Sequence, residues 1–366
     1  MTRQLTFACG LLSSLLVTGC GGGSAPQLDA KPAVAKSEGD PELIAKLKEL
    51  KGDFKLDESG EVSELKLKGK EINDSSLAVL EKLPQLATLG LAETSVTDAG
   101  LASVGKLASL KNLDLRDTKI TNAGLKHLEG LTELRVLRLS GKSGATTVDD
   151  QGLPAIAKLT KLKVLGLDFL WVSEQGLESI KGLTELEELY LGKTLAGDEA
   201  LAKLSQFPKL KKLRISQTQV TGQGLAHLAT VPNLEELDVS EDSQLLDADV
   251  ASLANLKKLK KLNLWRVQIT DAGVAHLAGL TELQWLNLDN SQLSDAGLKH
   301  LADMKKLTFL HLGSTSITDA GLPALEGLTA LKDLKVTRTG VTEAGVAELK
   351  KHLPNTAVQL KYLNDE

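Results

Sequence analysis

The stretch "LKNLDLRDTKITNAGLKHLEGLTE" occupies residues 110–133, and its reading decides the fold. It opens Leu110-x-x-Leu113-x-Leu115, with polar residues flanking the last two leucines. A period of two is that of a short strand with one buried face. Its second half, "TNAGLKHL" (121–128), sets Thr121 ahead of Leu125 and Leu128. A hydroxyl residue before apolar positions three apart is how a helix begins, because its oxygen accepts an orphan amide of the first turn. One strand and one helix of this size cannot cover each other's apolar faces. The unit needs neighbours.

The neighbours are present. "LATLGLAETSVTDAGLASVGKLAS" (86–109) precedes it, and "LTFLHLGSTSITDAGLPALEGLTA" (307–330) follows near the far end. The period is 24, and twelve units run from Val62 to Asn355. The unit starting at Leu134 carries four extra residues and the one starting at Leu234 carries one. Repetition at this period means stacked units that share one continuous core. The third apolar position is aliphatic throughout, from Leu67 and Leu91 to Ile215, Val239 and Val336. Thr97, Thr121, Ser173, Thr221, Thr270, Ser294, Thr318 and Thr342 are predicted N-caps, with Asn73 and Asp149 in equivalent places. Asp98, Asp271, Asp295 and Asp319 follow and complement the helix dipole. Gly100, Gly124, Gly273, Gly297 and Gly321 share one helical position, read as clearance for neighbouring helices.

The L-x-x-L-x-L opening resembles that of leucine-rich repeats, over about four-fifths of the chain. The resemblance implies an α/β solenoid, a curved horseshoe of about 12 repeats of 24 residues. Its parallel sheet would line the concave face and its helices the convex one. That family usually places asparagine or cysteine in the turn after the strand. This chain departs from it, with Thr94, Thr118, Thr194, Thr218, Ser291, Thr315 and Thr339, whose hydroxyls can serve the same backbone groups. The units are similar to ribonuclease-inhibitor-like repeats, and their "TDAGL" helices to repeats attached to F-box ubiquitin-ligase adaptors. Residues 21–61 are too short and too polar to supply an F-box.

Caps are expected at both ends. Residues 41–61 read as a helix plus a strand: "DPELIAKLKELKG" (40–52) has Asp40 as cap and Leu43, Leu47 and Leu50 on one face, and "FKL" (54–56) follows. Residues 356–366 supply a closing strand, "AVQLKYL" (357–363), and a tail.

The first 19 residues have a basic start at Arg3, an apolar run to Leu16 and then small residues, the layout of a signal peptide. The run is too short for a permanent span. The ending "LVTGC" resembles the lipobox of bacterial lipoproteins. That resemblance implies cleavage between Gly19 and Cys20, acylation of Cys20 and loss of Cys9 with the signal. Gly21, rather than an aspartate, favours the outer membrane by the same resemblance. Residues 20–40 then form a lipidated tether of small and polar residues, about 25 Å in root-mean-square reach. The expected location is the bacterial cell envelope, exported and lipid-anchored.

Function is read from what the repeat leaves variable. The net charge of −5 argues against nucleic acid. No catalytic, phosphate-cradling or zinc-type motif occurs, so neither an enzyme nor a cofactor is expected. His127, His227, His276 and His300 recur by template, and a metal is not expected there. Asp149–Asp150 and Glu241–Asp242 read as solvated turns, with a weak calcium site as the alternative. The positions between the leucines face the sheet surface. They place Trp285 and Phe309 there, with Trp265 directly after a strand, and His311, Asn263, Asn287 and Asp289 share that face. Earlier units add Tyr190, Phe169, Arg116, Arg138 and Arg214; Trp171 lies in a turn and takes no assignment. In a chain with 3% aromatics, aromatics set outward beside amides and a carboxylate compose a recognition surface. The expectation is a monomeric, non-catalytic protein that binds a protein or peptide. A glycan ligand or a purely structural role are the alternatives.

Overall fold

The computed structural model describes residues 40–361; the signal sequence, Cys20 and the last residues of the tail lie outside them. Among the described residues fourteen strands form one sheet in sequence order. They are β1 (Asp53–Leu56), β2 (Val62–Lys66), β3 (Thr88–Gly90), β4 (Asn112–Asp114), β5 (Val136–Arg138), β6 (Val164–Gly166), β7 (Glu188–Tyr190), β8 (Lys212–Arg214), β9 (Glu236–Asp238), β10 (Lys261–Asn263), β11 (Trp285–Asn287), β12 (Phe309–His311), β13 (Asp333–Lys335) and β14 (Ala357–Gln359). From β2 onward every pairing is parallel, with one strand per repeat. The cap strand β1 runs antiparallel to β2, because only a short turn joins them. The sheet stays open, with the helical segments on its other side. Helical segments need wider spacing than strands, so the sheet lines the concave face.

The leucines behave as their spacing requires. Leu65, Leu89, Leu113 and their equivalents to Leu334 are buried in a single core, and Phe207 fills the place that Leu183 and Leu280 hold elsewhere. Leu43 and Leu47 of the cap helix (Pro41–Glu49) close one end, and Asp40 caps it by accepting from the Glu42 amide at 2.9 Å. Val358 and Leu360 pack against the other end.

The predicted helices are shorter than a regular amphipathic helix, and several pass into or consist of 3-10 turns, as at Asp74–Lys82 and Asp319–Leu325. A 24-residue unit leaves little chain for its outer side, and a tighter turn spends fewer residues. Pro323 inside its segment also removes one helical amide bond. The eight Thr and Ser caps accept first-turn amides as expected, and so does Asn73. Asp149 likewise accepts the amide two residues on, from Gln151 at 2.8 Å, but the segment after it is a 3-10 turn that starts only at Leu153.

The aspartates and glycines of "TDAG" do more than their assigned roles. Asp74, Asp98, Asp150, Asp198, Asp247, Asp271, Asp295 and Asp319 each reach into the next repeat. There they accept the backbone amide of its Thr or Ser cap at 2.7–2.8 Å and the hydroxyl at 2.5–2.7 Å. The glycine clears space for that carboxylate rather than for a helix: a Cβ on Gly100, Gly124, Gly273, Gly297 or Gly321 would overlap the aspartate Oδ1 of the preceding repeat. Where Glu174 replaces the aspartate, Gly197 replaces the cap and buried Ala200 replaces the glycine.

The turn hydroxyls Thr94, Thr118, Thr194, Thr218, Ser291, Thr315 and Thr339 each donate to the carbonyl three residues earlier, at 2.6–2.7 Å. The residue just before each of them takes a positive φ: Glu93, Asp117, Lys193, Gln217, Asn290, Ser314 and Arg338. Phe169 and Arg266 do the same at the equivalent position, where Leu170 and Val267 replace the hydroxyl residue. This left-handed step turns each amide toward the next repeat, as Glu93 does to the Arg116 carbonyl at 2.8 Å.

Candidate ligand-binding face

Register aligns the variable residues in rows across the sheet. One row reads Glu188, Lys212, Glu236, Lys261, Trp285, Phe309. The next reads Tyr190, Arg214, Asp238, Asn263, Asn287, His311. In the first row charges alternate and pair laterally: Lys212 lies 3.1 Å from Glu188 and 3.5 Å from Glu236, and Lys261 lies 3.5 Å from Glu236. Such half-exposed pairs contribute little stability. They leave the aromatics as the uncompensated part of the row.

The Trp285 ring stacks on Phe309, with centroids 5.0 Å apart and planes 5° from parallel. Phe309 meets the His311 ring edge-on at 6.4 Å. Trp285 is half-buried, and its side away from Phe309 borders a depression of about 380 Å³. Tyr190, Lys212, Arg214, Asp238 and Asn263 line the rest of it. Trp265 stands in an adjoining hollow of about 210 Å³ with Phe169 and Lys193, and Arg214, Asp238 and Asn263 form the ridge between the two. The Arg266 guanidinium covers the Trp265 ring at 4.6 Å. Neither tryptophan is inside the core, and the two do not stack on each other.

The electrostatics follow from burial. The Tyr190 hydroxyl donates to Glu188 at 2.7 Å, and burial together with that carboxylate pushes its pKa up. Burial raises the Asp168 carboxyl, opposed by Arg214 3.5 Å away. Burial holds the His311 imidazole below its ordinary value, opposed by Asp289 and reinforced by Lys335.

Several sequence-based assignments need correction. Asp289 is buried, 6% exposed, rather than displayed on the face. Asn263 has both ends of its amide engaged: Nδ2 donates to Asp238 at 3.0 Å, and Oδ1 accepts from the Trp265 amide at 3.3 Å. Asn287 accepts from the Asp289 amide at 3.0 Å. These amides hold the chain where it leaves the strand. Arg138 and Arg116 lie apart from the aromatics, in a hollow of about 320 Å³ between β2 and β5. Arg116 is already paired with Asp114 at 2.6 Å. Asp242 is no solvated turn residue. It is 2% exposed, accepts the Thr218 amide at 2.8 Å, and burial pushes its pKa up to about 8. Asp150 is likewise engaged, holding Ser173. The four template histidines lie on the helical side. Among the described residues no group of three or more His, Cys, Asp or Glu side chains could hold a metal.

The sequence reading missed Gly313, Thr337, Asp168 and Gly192, which border the buried carboxylates at the end of the strands. They all occupy the position after the third apolar residue, so aligning the repeats by that position would have grouped them.

An open parallel sheet with one short strand and one short helical segment per 24 residues defines a leucine-rich-repeat solenoid. The leucine-rich repeat region family matches residues 64–254 and a second leucine-rich repeat family matches 257–317, so the chain belongs to the leucine-rich-repeat proteins. Its fold is similar to that of an internalin (inlF) from Listeria monocytogenes: TM-score 0.61, 22% identity, 88% of this chain and 95% of that one. It is also similar to the leucine-rich-repeat protein LIC12759 of Leptospira interrogans: TM-score 0.50, 19% identity, 77% of this chain and 80% of that one. No curated protein matches the chain significantly.

Proposed function

We propose that this protein is a non-catalytic receptor of the bacterial cell envelope. It is held to the outer membrane by acylated Cys20 and binds a protein or peptide through its sheet face. The observation that carries the reading is the 380 Å³ depression against Trp285, beside paired charges that set orientation. An indole with one free face in a half-dry hollow is the kind of anchor on which binding energy concentrates, about 2 kcal/mol or more. Leucine-rich repeats commonly serve as protein-interaction scaffolds, which fits this assignment. Among the described residues no helix is long and apolar enough to cross a membrane.

Crosslinking capture from native envelopes tests the face. The intact protein should retain a partner that a Trp265→Ala/Trp285→Ala double variant, still folded, loses. Equal capture by both would refute the assignment. A glycan is the second reading, favoured by the free indole face, on which a sugar ring can stack; competition by free sugars would reveal it. Cys20→Ala should move the protein from the membrane to the soluble fraction and abolish palmitate labelling.

A further inference from the structure

Two places at the end of the strands carry the same constellation in different states. In the first, Asp168, Gly192 and Ser216 occupy equivalent positions in three successive repeats. A Cβ on Gly192 would lie 2.8 Å from Asp168 Oδ1, 3.0 Å from Ser216 Oγ and 3.2 Å from Arg214 Nε. The glycine therefore leaves a niche, and Arg214 fills it. Its Nε donates to Ser216 Oγ at 3.2 Å, and its guanidinium lies 3.5 Å from the Asp168 carboxylate. The Gly192 amide completes the set by donating to Asp168 at 2.7 Å.

The second niche repeats the first with Asp289, Gly313 and Thr337. A Cβ on Gly313 would lie 2.7 Å from Thr337 Oγ1, 2.8 Å from Asp289 Oδ1 and 2.9 Å from His311 Nε2. All three of those atoms are buried, and none has a hydrogen-bond partner among the described residues. The Asp289 side chain is 9% exposed and Thr337 1%. His311 Nε2 stands 3.8 Å from Asp289 Oδ1, too far for a hydrogen bond. Lys335 holds the repeat position of Arg214, yet its ammonium lies over the Phe309 ring at 5.5 Å. Stranded polar atoms are costly. Of the three around the missing Cβ, Asp289 Oδ1 can only accept, and the Thr337 hydroxyl and His311 Nε2 can accept as well, so a donor brought from outside would satisfy the site.

We propose that the Asp289–Gly313–Thr337 niche receives a guanidinium or ammonium group from the bound partner, an arginine or lysine side chain of a peptide, as Arg214 fills the first niche. This deepens the peptide-binding assignment above and rests on it. The carboxylate and hydroxyl oxygens accept from the cation. His311, whose Nε2 borders the Gly313 niche at 2.9 Å from the Cβ position, swings aside as the cation enters. The Trp285–Phe309 stack lies on the same strands, with Phe309 covered by Trp285 and by the Lys335 ammonium, so the incoming stem passes its edge. A guanidinium brings several donors in a fixed fork, whereas a single sugar hydroxyl brings one and leaves an acceptor bare.

The test uses the full chain carrying isotope-labelled histidine and N-acetyl-arginine methylamide as probe, with the neutral citrulline counterpart as control. The His311 ring signals, assigned with a His311→Gln variant, should move saturably with the arginine probe and stay still with citrulline. Asp289→Asn should weaken binding about tenfold or more, the loss expected on removing a charged acceptor. Thr337→Val, an isosteric second variant, should also weaken it. No saturable movement with arginine, an equal response to citrulline, or unchanged affinity in a folded Asp289→Asn variant would overturn the proposal. Envelope capture separates the two claims. If Asp289→Asn captures normally while the double tryptophan variant does not, the sheet face stands and the niche falls.

Discussion

Replacing Gly124 with alanine is the sharpest test of how the repeats are joined. In an ordinary helical segment glycine to alanine stabilises, by about 1 kcal/mol. Here the added methyl would overlap Asp98 Oδ1 of the preceding repeat, and Ile120 Cγ2 stands 3.1 Å away on the other side. The carboxylate has to withdraw. It then gives up the Thr121 amide at 2.8 Å and the Thr121 hydroxyl at 2.6 Å. Bonds to a charged acceptor are worth about 1.5–3 kcal/mol each, and the site is only partly buried. Setting these against the helix gain leaves a net loss of about 2–4 kcal/mol. Urea unfolding would measure it, read with local hydrogen exchange, because a repeat array need not unfold in one step. The decisive arm is the double variant. Once Asp98→Ala has removed the carboxylate, Gly124→Ala should become neutral or stabilising, a coupling visible in a double-mutant cycle. A neutral Gly124→Ala in the parent chain, or an equal cost in both backgrounds, would refute the reasoning. The chain already holds a natural control: at Ala200, where the glycine is gone, Glu174 has replaced the partner aspartate.

Three further outcomes follow from other sites. The raised Asp242 pKa means that the folded state holds a proton which the unfolded chain releases near pH 4, so stability falls as pH rises from about 4 to about 8. Asp242→Asn should remove up to about 4 kcal/mol of that loss between pH 4 and 7 and flatten the profile of melting temperature against pH; an unchanged profile would count against it. Phe207→Ala, at a fully buried site, should cost about 3–5 kcal/mol in urea unfolding, with the exchange increase centred on the unit that begins at Leu186. Trp171→Ala, at a ring 66% exposed and away from the depression, should leave envelope capture intact and change stability by less than about 0.5 kcal/mol, whereas Trp285→Ala should abolish capture.

The sequence was legible wherever a residue answers to its own unit. Leu113 and Leu115 are buried because strand period two leaves them no other face, and Thr121 caps because it precedes the first helical turn. Trp285 and Phe309 share a row because the repeat carries them to the same register, and that too could be counted off the chain. Asp98 shows where this stops. By position it is a helix-dipole residue, and only stacking reveals that Thr121, 23 residues on, takes both its oxygens. Asp289 likewise reads as a displayed carboxylate until the neighbouring repeats close over it.

The sequence by itself determined the period, the strand, the capped turn and the family to which they belong, since those depend on local spacing and on which side of one unit is apolar. The tertiary structure alone decided which face of Trp285 stays open, that Arg214 fills one niche, and that Asp289, His311 and Thr337 each leave a buried polar atom unpartnered around Gly313. The reason is physical: these features depend on distances of a few ångströms between side chains one and two repeats apart. Small differences in what each neighbour offers, such as Arg214 against Lys335, change the outcome without altering the pattern that specifies the fold.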